Sequence, residues 1–369
     1  MFKSFGSRVL ALTAVGIVVI LFSRDLFPAA EEGLPDRPVS IIFFLPDGMG
    51  IGQHSMAYYL TDDYPFARFG QVALMTTHPH RRDRVTESAS GAGSLATGEK
   101  IRRRVISMSP EGKPLETVME VARAAGMATG VVTTANVSDA SPAAFSVQHP
   151  SRYEQTAIAR KMIRSGLNVM LGGGRKVFLS KRDGGENDSD YLGQLERGDA
   201  VQVLASLQDP LQPSRQILGL FDMGEMEDVA RRNPTLLEMT QFALDRLEDD
   251  PDGFFLFIEE ELTDSHSHNN LDAATLEAVQ AVNRVTRYLL DYQAAHPEVL
   301  LVVAPDHETG GWFLEEKRDN PGRPKWATGS HTGNMVPVFA IGPGSGLFKG
   351  IIDNTDVGKI MLKYLRQKK

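Results

Sequence analysis

Short hydrophobic runs with little polar alternation are the feature that most constrains how this chain can fold. Half-exposed strands alternate polar and apolar residues, whereas strands covered on both faces are hydrophobic almost throughout. We therefore expect a sheet that is buried on both faces. The runs predicted to be strands are Val39–Leu45, Met127–Thr133, Asn168–Leu171, Phe254–Ile258, Leu300–Ala304 and Val336–Ile341.

Amphipathic segments with helical periodicity lie between these runs. The predicted helices are Glu116–Ala125, ended by Gly126, a segment opened by Ser151 with Glu154 three residues later, Pro234–Leu247 and Leu271–Ala295. Alternation of strands and helices favours a parallel sheet with helices on both faces. The sequence therefore predicts the α/β class, and it contains no internal repeat.

Charge and cysteine content exclude several functions. The chain has 47 acidic and 39 basic residues and a net charge of −8, which predicts no nucleic-acid-binding module. An acidic protein that binds an anion must create its positive field locally, through metal ions or a few arginines. The chain has no cysteine, so disulfides and thiolate ligands are excluded and any metal is bound by nitrogen and oxygen.

The first 30 residues have the pattern of an export signal. Basic residues precede an apolar run of 14 residues, Val9–Phe22, which is short for a membrane span. Two alternatives stay open, a cleaved signal peptide and an uncleaved anchor in the inner membrane, and both predict a periplasmic or extracellular protein. Residues 31–37 are predicted to be a linker and 38–369 a single domain, from which the polar residues 175–233 form a surface excursion.

Polar residues of the metal-ligand type follow four of the predicted strands. They are Asp47 after the first run, Asp139 and Ser141 after the second, Glu259 with Asp264 and His268 after the fourth, and Asp306 and His307 after the fifth. Each group alone is also typical of a turn or a solvated loop. Because open α/β sheets bind ligands at the carboxyl ends of their strands, four such groups together indicate a metal or ligand site. Asp264 and His268 are four residues apart, so one turn of helix would direct both at a shared metal.

A run of small residues from Thr86 to Gly98 surrounds Ser88. One reading is a closely packed helix. The other is a segment that a ligand can approach closely, since a serine at a helix N-terminus lies among oriented N–H groups that stabilise an alkoxide and a bound phosphate.

Nine short motifs, in one order and with compatible spacing, make the chain resemble the alkaline phosphatase family from about Pro38 to Tyr364. The motifs are Pro46-Asp47-Gly48-Met49-Gly50, Thr86-Glu87-Ser88-Ala89-Ser90, Gly130-Val131-Val132-Thr133-Thr134, Asp139-Ala140-Ser141-Pro142-Ala143, Pro150-Ser151-Arg152, Leu171-Gly172-Gly173-Gly174-Arg175, Glu259 with Asp264 and His268, Asp306-His307, and His331-Thr332-Gly333. The resemblance implies a three-layer α/β sandwich with a large, mostly parallel central sheet. It also implies hydrolysis of phosphate monoesters with broad substrate specificity.

The resemblance further implies two zinc ions and one magnesium ion per chain, with Ser88 as a nucleophile that becomes phosphorylated and Arg152 as the phosphate clamp. The implied ligands are Asp264, His268 and His331 for one zinc, Asp47, Asp306, His307 and Ser88 for the other, and Asp47, Asp139, Ser141 and Glu259 for magnesium. Histidine and carboxylate ligands suit zinc, whereas an all-oxygen set suits magnesium.

Three features depart from the family pattern. Glu87 stands where aspartate is usual, and Ser265 stands where relatives often carry lysine or histidine. Only 24 positions separate His307 from His331, so the crown region at 308–330 is short or absent. Little chain is then left for the cap of the homodimer that the family usually forms.

Other functions on the same scaffold stay open. A sulfatase is disfavoured because Ser88 lacks the Ser/Cys-x-Pro-x-Arg context of that group. A phosphodiesterase of this superfamily usually has threonine as nucleophile and no counterpart of Arg152. An inactive periplasmic protein that binds phosphate or metal is a third alternative, although the nucleophile and the ligand set are intact.

Overall fold

A ten-stranded sheet forms the centre of the protein, and its middle strands are buried on both faces. The computed structural model describes residues 39–367, apart from residues 63, 81, 82, 214, 318 and 319. The strands are β1 (Ser40–Pro46), β2 (Gln71–Thr76), β3 (Ala128–Asn136), β4 (Val169–Gly173), β5 (Val201–Leu204), β6 (Gln216–Leu220), β7 (Phe254–Glu260), β8 (Val299–Val303), β9 (Glu308–Thr309), β10 (Phe313–Lys317), β11 (Asn320–Lys325), β12 (His331–Thr332), β13 (Val336–Ile341) and β14 (Gly350–Asp353). Their order in the large sheet is β14-β2-β13-β8-β1-β7-β3-β4-β6-β5.

Most neighbouring strands of this sheet run parallel. β1 pairs with β7 on one side and β8 on the other, so that Ile41 lies between Phe255 and Leu300. From β7 to β5 each further pair is also parallel. The prediction of a large, mostly parallel sheet is confirmed. β13 is the exception, since it runs antiparallel to both β8 and β2.

Helices cover both faces of the sheet. They are α1 (Ile51–Leu60), α2 (Ser88–Thr97), α3 (Val118–Ala124), α4 (Ala140–Ser146), α5 (Gln155–Arg164), α6 (Arg175–Phe178), α7 (Tyr191–Arg197), α8 (Leu236–Leu247), α9 (Leu262–His268), α10 (Asp272–Ala295) and α11 (Asn354–Arg366). Alternate residues of β1 enter two hydrophobic clusters, Phe43 on one face and Phe44 on the other. The first cluster includes α2, α3, α4, α5 and α11, and the second includes α1, α8 and α10. This is the predicted three-layer α/β sandwich.

One predicted helix begins later than expected. α5 begins at Gln155 rather than at Ser151. The Ser151 hydroxyl accepts a hydrogen bond from the backbone N–H of Tyr153 at 3.3 Å, so this serine forms a local turn instead of capping a helix. The other three predicted helices agree with α3, α8 and α10 within two residues at each end.

Part of the predicted surface excursion at 175–233 belongs to the sheet, which corrects that prediction. β6 pairs in parallel with β4, and β5 pairs with β6 at the edge. Ile217 and Leu218 of β6 are buried. The strand begins with Gln216 and contains Gly219, so only two consecutive large apolar residues signal it in the sequence.

Residues 308–330 contain a small hairpin of β10 and β11. β9 precedes this hairpin in the chain and β12 follows it. These two strands pair with each other, and His331 lies opposite Thr309. This pairing returns His331 to the neighbourhood of His307.

The predicted signal or anchor at residues 1–30 and the linker at 31–37 lie outside the described residues. Within the described range, no helix is both long enough and apolar enough to cross a membrane.

Candidate active site

The carboxyl ends of four neighbouring strands bring the predicted ligands together. β8, β1, β7 and β3 are adjacent in the sheet. Asp306 follows β8, Asp47 follows β1, Glu259 lies near the end of β7, and Asp139 precedes α4 after β3. Because parallel strands end at the same edge, these carboxylates converge on one place.

Asp47, Asp306 and His307 form a buried cluster. His307 Nε2 lies 3.3 Å from Asp47 Oδ1 and 3.3 Å from Asp306 Oδ2. Neither of these two carboxylate oxygens has a hydrogen-bond partner among the described residues, although both are buried. One ligand atom from each residue lies within 4.8 Å of the others, which is compatible with a shared metal ion.

Asp264, His268 and His331 form a second cluster beside the first. On α9, His268 Nε2 lies 3.3 Å from Asp264 Oδ2. His331 Nε2 is 3.5 Å from Asp264 Oδ1 and 2.8 Å from His268 Nε2. The ring of His307 stacks on that of His331 with a centroid distance of 3.7 Å, so His307 lies between the two clusters. All the residues predicted to bind the two zinc ions are therefore close together.

The predicted magnesium ligands offer only oxygen. The Ser141 hydroxyl donates to Asp47 Oδ2 at 3.5 Å, and the Thr133 hydroxyl donates to the Glu259 carboxylate. Asp139 accepts hydrogen bonds from Gln155 Nε2 at 3.0 Å and from Arg152 Nη2 at 3.3 Å. The group thus adjoins the first cluster through the shared Asp47.

Burial and mutual repulsion oppose ionisation of these carboxylates. Burial, followed by the charges of Asp306 and Asp264, raises the pKa of Asp47 well above its usual range. Burial is also the main reason that the pKa of Asp306 rises to about 6 and that of Glu259 to about 8. For Asp264 burial is outweighed by its hydrogen bonds to two histidines, which bring its pKa well below the usual value. Buried carboxylates without matching positive charge are costly, so this donor set fits divalent cations.

Ser88 is the first residue of α2 and faces the first cluster. Its Oγ lies 3.5 Å from His307 Nε2. The Glu87 carboxylate caps the helix by accepting hydrogen bonds from the backbone N–H groups of Ala89 and Ser90 at 3.1 and 3.0 Å. A Cβ on Gly91 would stand 2.8 Å from the Asp306 carbonyl oxygen, so glycine permits this approach. The helix is closely packed and also directs its N-terminus at the ligand cluster.

Arg152 is held by two carboxylates next to Ser88. Its guanidinium donates to Glu87 Oε2 at 2.8 Å and to Asp139 Oδ2 at 3.3 Å. The backbone N–H of Arg104 donates to the other Glu87 oxygen at 2.8 Å. Burial alone would raise the pKa of Glu87, but Arg152 and these hydrogen bonds bring it down to about 2. An ionised Glu87 therefore fixes the position of Arg152.

Sequence analysis does not identify Arg232, which forms a buried ion pair with Glu260. Arg232 Nη1 and Nη2 donate to the Glu260 carboxylate at 2.8 and 3.2 Å, and the exposed fractions of the two side chains are 2% and 0%. Glu260 follows Glu259, and its carbonyl oxygen accepts from the Asp47 backbone N–H at 3.0 Å. The only sequence signal is a run of glutamates at the end of a buried strand, which requires a compensating charge.

The fold and this donor set define a metal-dependent hydrolase of phosphate esters. A family model described as alkaline phosphatase matches residues 39–326. The chain belongs to the alkaline phosphatase family, and its reaction is the hydrolysis of phosphate monoesters.

Individual relatives are similar over nearly the whole chain. Alkaline phosphatase 3 of Bacillus subtilis (strain 168) is 27% identical over an alignment of 430 positions, and the alignment covers 91% of this chain and 91% of the relative. The structure of alkaline phosphatase from the Antarctic bacterium TAB5 has a TM-score of 0.82 and 27% identity, and it covers 89% of this chain and 99% of that one. A histidine-to-aspartate variant of the TAB5 enzyme with magnesium bound in its M3 site has a TM-score of 0.80 and 26% identity, covering 90% and 99%.

We expect Arg232→Met to lower the free energy of unfolding by about 3–5 kcal/mol, because it leaves the buried Glu260 carboxylate without its compensating positive charge. Arg232→Met combined with Glu260→Leu should cost less than Arg232→Met alone, since both charges are then removed. Denaturant unfolding measures both values.

The control for this pair is Arg68→Met. Arg68 contacts Asp291 at 2.7 Å in an exposed pair, with side-chain exposures of 47% and 63%. Its loss should cost about 1 kcal/mol or less. Equal losses for the single and the double Arg232 variants would contradict the role assigned to the buried charge.

Proposed function

We propose that this phosphatase acts through nucleophilic attack by Ser88, with Arg152 binding the phosphoryl oxygens. The observation that carries the proposal is the position of Ser88 Oγ at the N-terminus of α2, 3.5 Å from His307 Nε2 in a cluster of metal-ligand side chains. A serine there meets both the helix N–H groups and the proposed metal site.

Two zinc ions and one magnesium ion are the cofactors we propose for the three groups of ligands. Asp264, His268 and His331 would hold one zinc, Asp47, Asp306, His307 and Ser88 the other, and Asp47, Asp139, Ser141 and Glu259 the magnesium. The buried oxygens of Asp47 and Asp306 that lack hydrogen-bond partners among the described residues support this fit. When bound, such ions stabilise an ionised serine hydroxyl, a nucleophilic water and the departing alkoxide.

Residues of this chain then bind the phosphoryl group and transfer it. Ser88 Oγ forms a bond to phosphorus while the bond from phosphorus to the alcohol oxygen breaks in line with it. Water next attacks the phosphoserine, which releases inorganic phosphate and restores the serine. Arg152 donates two parallel hydrogen bonds to the non-bridging oxygens. Glu87 and Asp139 hold its guanidinium in place for this contact.

The cations of the proposed site favour a monoester. Five carboxylates and one Ser88 alkoxide give six negative charges, which three divalent ions balance, and the ionised Glu87 balances Arg152. The site is then close to neutral within a chain whose net charge is −8. A diester carries less negative charge and a second alcohol group, so it gains less from the ions and Arg152. Because Ser88 and Arg152 contact only the phosphoryl group, we propose that many monoesters are accepted.

Ser88→Ala should keep the fold and the metal content but lower phosphatase activity by about 10³-fold or more, because the covalent step is lost. Hydrolysis of p-nitrophenyl phosphate and bis-p-nitrophenyl phosphate, each with and without chelator, measures the loss and separates monoesterase from diesterase activity. Ser94→Ala is the matched control, since Ser94 lies on the same helix and donates to the Ser90 carbonyl instead. Activity of Ser88→Ala near that of the control would exclude Ser88 as nucleophile.

Asp139→His should shift the third site from magnesium towards zinc or cobalt, because imidazole is a softer ligand than carboxylate. Metal analysis after stepwise reconstitution measures this shift, with Asp139→Asn as a control that keeps an oxygen ligand. The TAB5 variant with aspartate in place of histidine and magnesium in its M3 site is a parallel from a relative. Full activity of the unaltered protein with zinc alone, and no bound magnesium, would refute the assignment.

We also propose that residues 1–30 direct export to the periplasm or beyond. Fused to a reporter that is active only outside the cytoplasm, these residues should give signal, whereas the same reporter without them should not. N-terminal sequencing of the exported protein then distinguishes a cleaved signal peptide from an uncleaved anchor. A reporter that stays inactive would refute export.

A further inference from the structure

A basic segment lies directly beside the proposed phosphoryl site. Arg104 donates its backbone N–H to Glu87 Oε1 at 2.8 Å, and its carbonyl oxygen accepts from the backbone N–H of Arg152 at 3.0 Å. The Glu87 carboxylate therefore joins Arg104 and the Arg152 guanidinium. Arg102 and Arg103 precede it in the chain.

Arg104 has an unusual backbone conformation. Its φ angle is 68°, in the left-handed region that glycine adopts freely and that costs other residues free energy. Its two backbone hydrogen bonds, to Glu87 and from Arg152, hold this conformation. An arginine therefore occupies a position where glycine would be less strained, which suggests that its side chain has a use.

The three arginine side chains are exposed. Among the described residues, none of them forms a side-chain hydrogen bond or an ion pair, and Arg102 has only a weak electrostatic effect on Glu111. Some other exposed arginines of this acidic protein pair with carboxylates, namely Arg68, Arg197, Arg231 and Arg366. Three consecutive guanidinium groups thus remain available to an anion.

We propose that Arg102, Arg103 and Arg104 form a second anion site, and that the preferred substrates are small phosphate monoesters whose leaving group carries a further phosphate or carboxylate. Guanidinium groups bind both anions through paired hydrogen bonds. The inference rests on the proposed function, because the phosphoryl group is assigned to Ser88 and Arg152. The second anion would then lie on the Arg104 side of Glu87.

The test compares two substrates with the same three-carbon skeleton, 3-phosphoglycerate and glycerol 3-phosphate. Only the first has a carboxylate in its leaving group. In the variant Arg102→Gln, Arg103→Gln, Arg104→Gln, the ratio of kcat/KM for 3-phosphoglycerate to that for glycerol 3-phosphate should fall about tenfold. Added salt should reduce the same ratio in the unaltered protein, since exposed charges are screened.

The matched control is Arg246→Gln, Arg284→Gln, Arg287→Gln. These arginines are also exposed and the net charge changes equally, but they lie on α8 and α10, which cover the opposite face of the sheet from α2. The substrate ratio should stay within about twofold in this control. A ratio that falls equally in both triple variants, or in neither, would overturn the proposal.

Arg104→Gly tests whether misfolding causes the change in the substrate ratio, because glycine adopts a φ of 68° without strain. It should keep the circular dichroism spectrum and still lower the substrate ratio, and an unchanged ratio would count against Arg104. If the proposed function is wrong, the result is different. Ser88→Ala would then still hydrolyse glycerol 3-phosphate, whatever the ratio between the two substrates is.

Discussion

Buried negative charge at the carboxyl edge of the sheet is the constraint on which the rest of this structure depends. Strand ends place Asp47, Glu259 and Asp306 where water cannot solvate them, and burial raises the pKa of each. Such a group is stable only with nearby positive charge. The histidines between the clusters offer nitrogen ligands to the same space, so the arrangement is suited to divalent cations. A chain with a net charge of −8 can then bind a phosphate dianion at this one place.

The Glu87 carboxylate connects the other parts of the proposed mechanism. One side chain caps the helix that begins with Ser88, accepts a hydrogen bond from Arg152 and accepts another from the Arg104 backbone. It therefore fixes the relative positions of the proposed nucleophile, the proposed phosphate clamp and the basic segment. Glutamate has one methylene more than aspartate, which gives the carboxylate more reach towards all three partners.

The sequence predicts the strands and helices that a local residue pattern determines. It does not predict features that depend on residues distant in the chain. Long buried runs identify β1, β3, β7 and β8, and the position of these runs places the candidate ligands at one edge of the sheet. β2, β5, β6 and β14 are not predicted. These strands of four to six residues lie towards the sheet edges, and of the four only β6 has a continuous buried run, which includes Gly219. The ion pair of Arg232 with Glu260 joins residues 28 positions apart, and no periodicity encodes such a contact. The helix α5 begins late because a serine that resembles a cap forms a turn.

The run Glu259-Glu260-Glu261 shows how one strand end can serve several purposes. Successive side chains of a strand point to opposite faces, so Glu259 and Glu260 are directed apart. Glu259 faces the proposed metal site, whereas Glu260 meets Arg232 on the other side. Glu261 occupies the position before α9, and its carboxylate accepts a hydrogen bond from the Ser265 hydroxyl. Three adjacent carboxylates are thus buried with three different kinds of partner. Replacement of one partner therefore need not disturb the other two, and the loop that carries Arg232 can stabilise the proposed site without contacting its ligands.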